Sequence, residues 1–121
     1  MKVSEIVPIS QQALQRLFRM RGLAADPSDL GRRRAPRWPF PGAVEIWVPA
    51  ADGGEEHRFG TCENISMGGA GVRCDDAYER GTELQVAVHQ PELSLHGRAV
   101  VRHCTRLRSD YYVGLEFIFD D

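Results

Sequence analysis

The sequence contains no run of about 18 apolar residues, the length at which a helix becomes a candidate to cross a bilayer. Its start, MKVSEIVPISQQ, lacks the continuous apolar stretch of a secretory signal. The expectation is a chain with no membrane span that works in the cytoplasm. Cysteine is scarce: Cys62, Cys74 and Cys104 are an odd set with no C-x-x-C pair, which fits a reducing compartment better than a disulfide framework. His57, His89, His96 and His103 show no metal-ligand spacing. His103 and Cys104 are neighbours in sequence but would point to opposite faces of a strand. G-x-S-x-G, P-loop and H-E-x-x-H patterns are all missing. Asp75-Asp76 and Asp120-Asp121 read as turn or terminal acids rather than a catalytic dyad. With no nucleophile placed beside a base, the expectation is a protein that is not an enzyme and holds neither metal nor cofactor. Internal repeats and low-complexity tracts are also lacking.

What is present is enough for one domain: 121 residues, 42% of them apolar, can bury a single core. The net charge of −2 hides an asymmetry. Residues 1–37 hold eight Lys and Arg against three acids, a balance of +5, so the remainder carries −7. A basic arm on an acidic body suits an anionic partner, although such a segment can also dock on its own acidic domain.

Three regions follow along the chain. Ser10 is placed to cap a short helix whose Leu14, Leu17 and Phe18 fall on one face, with Gly22 ending it in a left-handed turn and Leu23 folding back. Such a helix is too short to stand alone in water and needs the rest of the chain, or a second chain, against it. Residues 24–41 contain Pro27, Pro36, Pro39 and Pro41, which keep the cluster Arg32-Arg33-Arg34-Ala35-Pro36-Arg37 extended. Beyond it come period-2 runs: Val44, Ile46 and Val48; Phe59 and Thr61 after a turn at Asp52-Gly53-Gly54; Leu84, Val86 and Val88; Leu93 and Leu95, continuing past Gly97 to His103; and Val113, Leu115, Phe117 and Phe119. These predict an all-β antiparallel sandwich or barrel.

Two segments carry chemistry. The arginine cluster offers flat, forked donors that match phosphate oxygens and the O6/N7 edge of guanine and can stack on a base. Asn64-Ile65-Ser66-Met67-Gly68-Gly69-Ala70-Gly71 lies between two predicted strands. It sets an amide and a hydroxyl beside glycines that let a ligand approach the backbone. Taken singly, the first is also what a solvated basic face looks like, and the second what any tight β-turn uses.

Together they resemble the PilZ family of cyclic di-GMP receptors. Arg33-x-x-x-Arg37 matches the family's R-x-x-x-R, with Arg32 completing the double-arginine form, and Asn64-x-Ser66-x-x-Gly69 matches (D/N)-x-S-x-x-G. The resemblance runs from Arg32 to Asp121, and takes in Gly81 ahead of Leu84, the Gly97–Arg102 stretch and Gly114-Leu115-Glu116-Phe117. It implies a six-stranded antiparallel PilZ-type β-barrel at 32–121, with the arginine arm at 32–41, preceded by a helix and linker at 1–31. It also implies that Arg33 and Arg37 contact guanine and phosphate, that Arg32 contacts phosphate, and that Asn64 and Ser66 bond a guanine edge. Gly69 would leave room for the base, and Arg102 would pack on the second guanine. Arg34 and Trp38 lie within reach of such a ligand, Trp38 reading better as a packing residue at the barrel mouth. Asn64 stands where aspartate is commoner, and the chain stops after the last strand without the C-terminal helix of many members.

The implied mechanism is an arm that repels itself when empty and is pinned to the barrel by the ligand, rearranging the N-terminal helix and signalling to a protein partner through that helix or the barrel surface. Whether the helix dimerises or packs in cis stays open. The competing reading is a degenerate PilZ interaction module that binds no nucleotide. A third, a barrel for single-stranded nucleic acid, is disfavoured by the acidic body and by strands with no clear set of exposed aromatics.

Overall fold

Residues 5–23 and 38–119 are described by the computed structural model. Six strands close on themselves: β2 (Trp38–Pro49), β3 (Glu55–Ile65), β4 (Gly69–Cys74), β5 (Glu83–His89), β6 (Leu93–Arg106) and β7 (Tyr111–Ile118). The pairings run β2–β3–β4–β7–β6–β5 and back to β2, every one antiparallel. The barrel and the one short helix among the described residues match the sequence expectation. Val44 and Ile46 point inward with Val86 and Val88 of β5 and Val101 of β6, all essentially without solvent contact. Closure leaves these strands no exposed edge along their paired lengths.

Two elements were not legible as periodic runs. A four-residue strand, β1 (Glu5–Pro8), pairs in parallel with Leu93–His96 at the start of β6. It covers the part of β6 that β7 does not reach, since the β6–β7 register begins at Arg98. Four residues ending in proline are too few to show a period. β4, Gly-Ala-Gly-Val-Arg-Cys, is buried at every position but Arg73, so it has no polar alternation to read.

The helix α1 (Gln11–Met20) forms as its caps predict. Ser10 is extended, and its hydroxyl accepts a hydrogen bond from the Ala13 amide at 3.0 Å. At the other end Gly22 takes φ +70°, and the amides of Gly22 and Leu23 donate to the carbonyls of Arg19 and Phe18 at 3.0 and 2.8 Å. That is a Schellman closure, which needs a residue free to adopt a left-handed backbone. Leu14, Leu17 and Phe18 are buried in the same core as the barrel strands, so the helix finds its support in cis. Phe18 meets Phe40 of β2 with ring centroids 5.4 Å apart. Arg21 lies over the Phe40 ring at 4.7 Å, pairs with Glu92, and donates to Gln90 Oε1 at 2.8 Å. Gln90, itself buried, donates to the Phe40 carbonyl at 3.0 Å.

Candidate ligand-binding site

The end of β3 is built around a bulge. Cys62 and Ile65 are both buried, three residues apart, and the β3–β4 register shifts between Cys62 and Asn64. One extra residue resets the alternation, so Asn64 lies half-buried on the outer face while Ile65 returns to the core. A second bulge, between Val101 and His103 of β6, does the same for its strand: Arg102 and His103 are both exposed, and Cys104 turns back to pack on the core. The opposite facing of His103 and Cys104 is thus kept.

These irregularities align a row across four strands. Asn64 is the Cα partner of Gly71, Gly71 of Gly114, and Gly114 of His103. The two central glycines leave a shallow trough floored by backbone. The Tyr112 ring lies in it above Gly71, and the His103 ring lies above Gly114. The two rings stack at 5.9 Å with an 18° tilt. Asn64 is held at both ends of its amide: Oδ1 accepts from the Gly71 amide at 3.1 Å, and Nδ2 donates to the Tyr112 hydroxyl at 2.9 Å.

The turn above this row is cinched by Ser66. Its hydroxyl accepts from the amides of Gly68 and Gly69, each at 3.2 Å, and donates to the Gly69 carbonyl at 3.4 Å, while its own amide donates to that carbonyl at 2.8 Å. Gly69 has no room for a side chain: a Cβ there would stand 2.0 Å from the Leu115 carbonyl oxygen. Its place in the motif therefore answers first to the packing of β4 on β7.

Of the residues singled out from sequence, Asn64, Ser66 and Gly69 are brought together here. Arg102, on β6, forms an exposed ion pair with Glu116, and Glu116 is the Cα partner of Gly69, so Arg102 borders the same turn. Arg32, Arg33, Arg34 and Arg37 lie outside the described residues, and of Trp38 only the backbone is described. Connectivity still relates the two motifs. Trp38, the residue bonded to Arg37, is the Cα partner of Ile65, and Pro39 that of Asn64. Tyr112, His103 and Glu116 were missed as site residues. Only strand register, which no spacing in the sequence reveals, brings Tyr112 to Asn64, His103 to Tyr112 and Glu116 opposite Gly69.

The outer face also carries an aromatic strip that the sequence did not disclose. Trp47 stacks on His57 at 4.8 Å with a 3° tilt, and His57 meets Phe59, which is 65% exposed, at 4.7 Å. The three come from two strands and meet only through the β2–β3 pairing. Glu45 borders the strip, its carboxylate receiving His89 at 2.6 Å and His57 at 3.0 Å. These contacts, His89 first, hold the Glu45 carboxyl below the usual carboxylate range. An anionic border of this kind does not suit a polyanion track. Among the described residues no group of His, Cys, Asp and Glu is arranged to hold a metal ion, and no helix is long and apolar enough to cross a membrane.

The profile of the PilZ domain matches residues 31–121. Among solved structures, the Bacillus subtilis inhibitor of motility MotI/DgrA is similar at 26% identity and TM-score 0.59, over 71% of this chain and 42% of that one. The cyclic di-GMP-bound PilZ domain of YcgR from Escherichia coli is similar at 17% identity and TM-score 0.59, over 72% and 78%. The cyclic di-GMP complex of MrkH from K. pneumonia is similar at 18% identity and TM-score 0.60, over 74% and 46%. The last two likenesses speak to the fold, and the chain spans under half the length of MotI/DgrA and MrkH. No curated protein sequence matches significantly.

Proposed function

The chain belongs to the PilZ domain family, and from that premise we propose that it is a receptor for cyclic di-GMP whose arginine arm closes over the nucleotide. Residues 32–121 form the binding unit. Arg33 and Arg37 contact guanine and phosphate, Arg32 contacts phosphate, Asn64 and Ser66 meet a guanine edge beside Gly69, and Arg102 exchanges Glu116 for the second guanine. The protein binds without catalysis and without a cofactor, works in the cytoplasm, and passes the signal to a protein partner.

The observation that supports this best is the pairing of Pro39 with Asn64. It sets the residue two positions after Arg37 opposite the backbone of Asn64, which supports a reading in which both motifs grip one ligand that carries phosphates and purines. An extended arm from Arg33 to Arg37 reaches about 14 Å, the scale of a cyclic dinucleotide. Four guanidinium groups in six residues repel one another, and a ligand with two phosphates relieves that repulsion as the arm closes. The helix α1, with its apolar face in the barrel core, serves as the anchor from which the arm moves.

Isothermal titration with cyclic di-GMP tests the reading. Binding at low-micromolar affinity or tighter is expected, about −8 kcal/mol or better. Arg33→Ala or Arg37→Ala should each lose about 2–4 kcal/mol, as desolvated charge-assisted contacts do. No heat at high micromolar ligand would overturn the proposal in favour of an interaction module.

A further inference from the structure

We infer that Tyr112 is a positioning residue for base recognition: the Gly71 amide sets the polarity of the Asn64 carboxamide, and the Tyr112 hydroxyl holds its plane, so that this polarity is presented squarely enough to favour guanine over adenine. The inference rests on the reading that Asn64 meets a guanine edge, and it adds a residue that lies in neither sequence motif, 48 positions from Asn64.

A carboxamide is nearly symmetric in shape but opposite in chemistry at its two ends. The Gly71 amide can only donate, so it requires Oδ1 on its side, as observed at 3.1 Å. The Tyr112 hydroxyl, 2.9 Å from Nδ2, then holds the other end. The Gly71 contact sets the polarity of the group, and the Tyr112 contact at its other end fixes the plane. Each end keeps one further capacity, a second lone pair on Oδ1 and a second hydrogen on Nδ2. Guanine presents its O6 acceptor next to the N1 donor; adenine presents its N6 donor next to the N1 acceptor. The order is reversed, so an amide of fixed polarity that pairs with one base meets the other donor to donor and acceptor to acceptor. The cost of leaving such groups unpaired is what makes this kind of site selective.

Tyr112 is itself well held. Its hydroxyl occupies the space a side chain at Gly71 would need, 1.9 Å from the position of that missing Cβ. Its ring is backed by His103 at 5.9 Å, and the His103 ring lies over Gly114, where a Cβ would stand 2.1 Å from Nε2. The paired glycines therefore make the bed in which the two rings lie, and the tyrosine delivers its oxygen to Asn64 from a fixed position.

Tyr112→Phe keeps the ring and removes only the hydroxyl. Titration of wild type and variant with cyclic di-GMP and with cyclic di-AMP is expected to show cyclic di-GMP weakened about tenfold, because the freed Asn64 amide must be ordered again on binding, and the gap between the two ligands narrowed. A wild type that binds cyclic di-GMP, with a variant unchanged in affinity and discrimination, overturns the role of Tyr112 and leaves the receptor reading intact. A wild type that binds neither ligand sinks the receptor reading and the guanine preference with it. Independently of ligand, the Asn64 side-chain NH2 pair in a ¹⁵N-correlated NMR spectrum is expected to be well dispersed in wild type and to move toward the free-amide position in the variant. An Asn64 signal identical in both proteins overturns the positioning outright.

Discussion

The hydroxyl of Ser66 accepts from the Gly69 amide at 3.2 Å and donates to the carbonyl of that same residue. A motif serine expected from sequence to face a ligand is thus also the clasp of its own turn. Its one donor and two acceptor positions all have partners within the turn, so meeting a guanine edge means exchanging one of them, the bond to the Gly69 carbonyl at 3.4 Å being the longest. Ser66→Ala should therefore lower stability by about 1 kcal/mol with no ligand present. Urea denaturation of the ligand-free variant checks this, and an unchanged midpoint would leave the clasp without energetic weight.

Gly69→Ala should be harsher. The added methyl would stand 2.0 Å from the Leu115 carbonyl oxygen, and that neighbour is backbone. β4 and β7 must part to admit it, at a cost of about 1–3 kcal/mol. The expected outcome is a lowered melting temperature together with weakened cyclic di-GMP binding. Full stability with lost binding would instead mean that the glycine serves the ligand alone.

The pair between Arg21 and Glu92 gives stability a pH dependence of known sign. The hydrogen bond from Arg21 holds the Glu92 carboxyl below its ordinary 4.5, burial opposing it. A carboxyl with a depressed folded-state pKa contributes stability in full above about 4.5, and loses that contribution as pH falls through the folded value. The urea midpoints of wild type and Glu92→Gln should differ at pH 7 and converge toward pH 3. A constant difference would show that the charge on Glu92 contributes nothing.

Burial pushes the thiols of Cys62 and Cys74 up to about 12, far from the thiolate form that reacts. A thiol reagent at pH 8 should leave both unmodified in the folded protein and label them on unfolding. Rapid labelling of Cys62 under native conditions would show that the bulged end of β3 opens readily.

How much was legible in the sequence depends on whether a feature is local. Ser10 and Gly22 define α1 by contacts within a few residues, and both act as their types predict. The alternation of Val44 and Ile46, and of Leu84, Val86 and Val88, likewise reports a wall with one face inside. β4 carried no such contrast because nearly all of it is covered, and β1 was too short. The site divides in the same way. Asn64, Ser66 and Gly69 were readable as a short motif, but the outward turn of Asn64 depends on a bulge, and its contact with Tyr112 on the register of β4 with β7. Period-2 reasoning assumes an unbroken pleat, and at Asn64 and His103 the pleat is broken.

The contacts of Phe18 and Arg21 with Phe40 bear on how the arginine segment behaves. They join the helix that precedes residues 24–37 to the strand that follows them, so the fold itself holds together the two ends that flank that stretch. The entropy lost in bringing those two ends together is settled when the chain folds, so the receptor reading does not need a ligand to supply it. Phe18→Ala, by loosening that junction, would leave part of that ordering to any ligand held between the two ends.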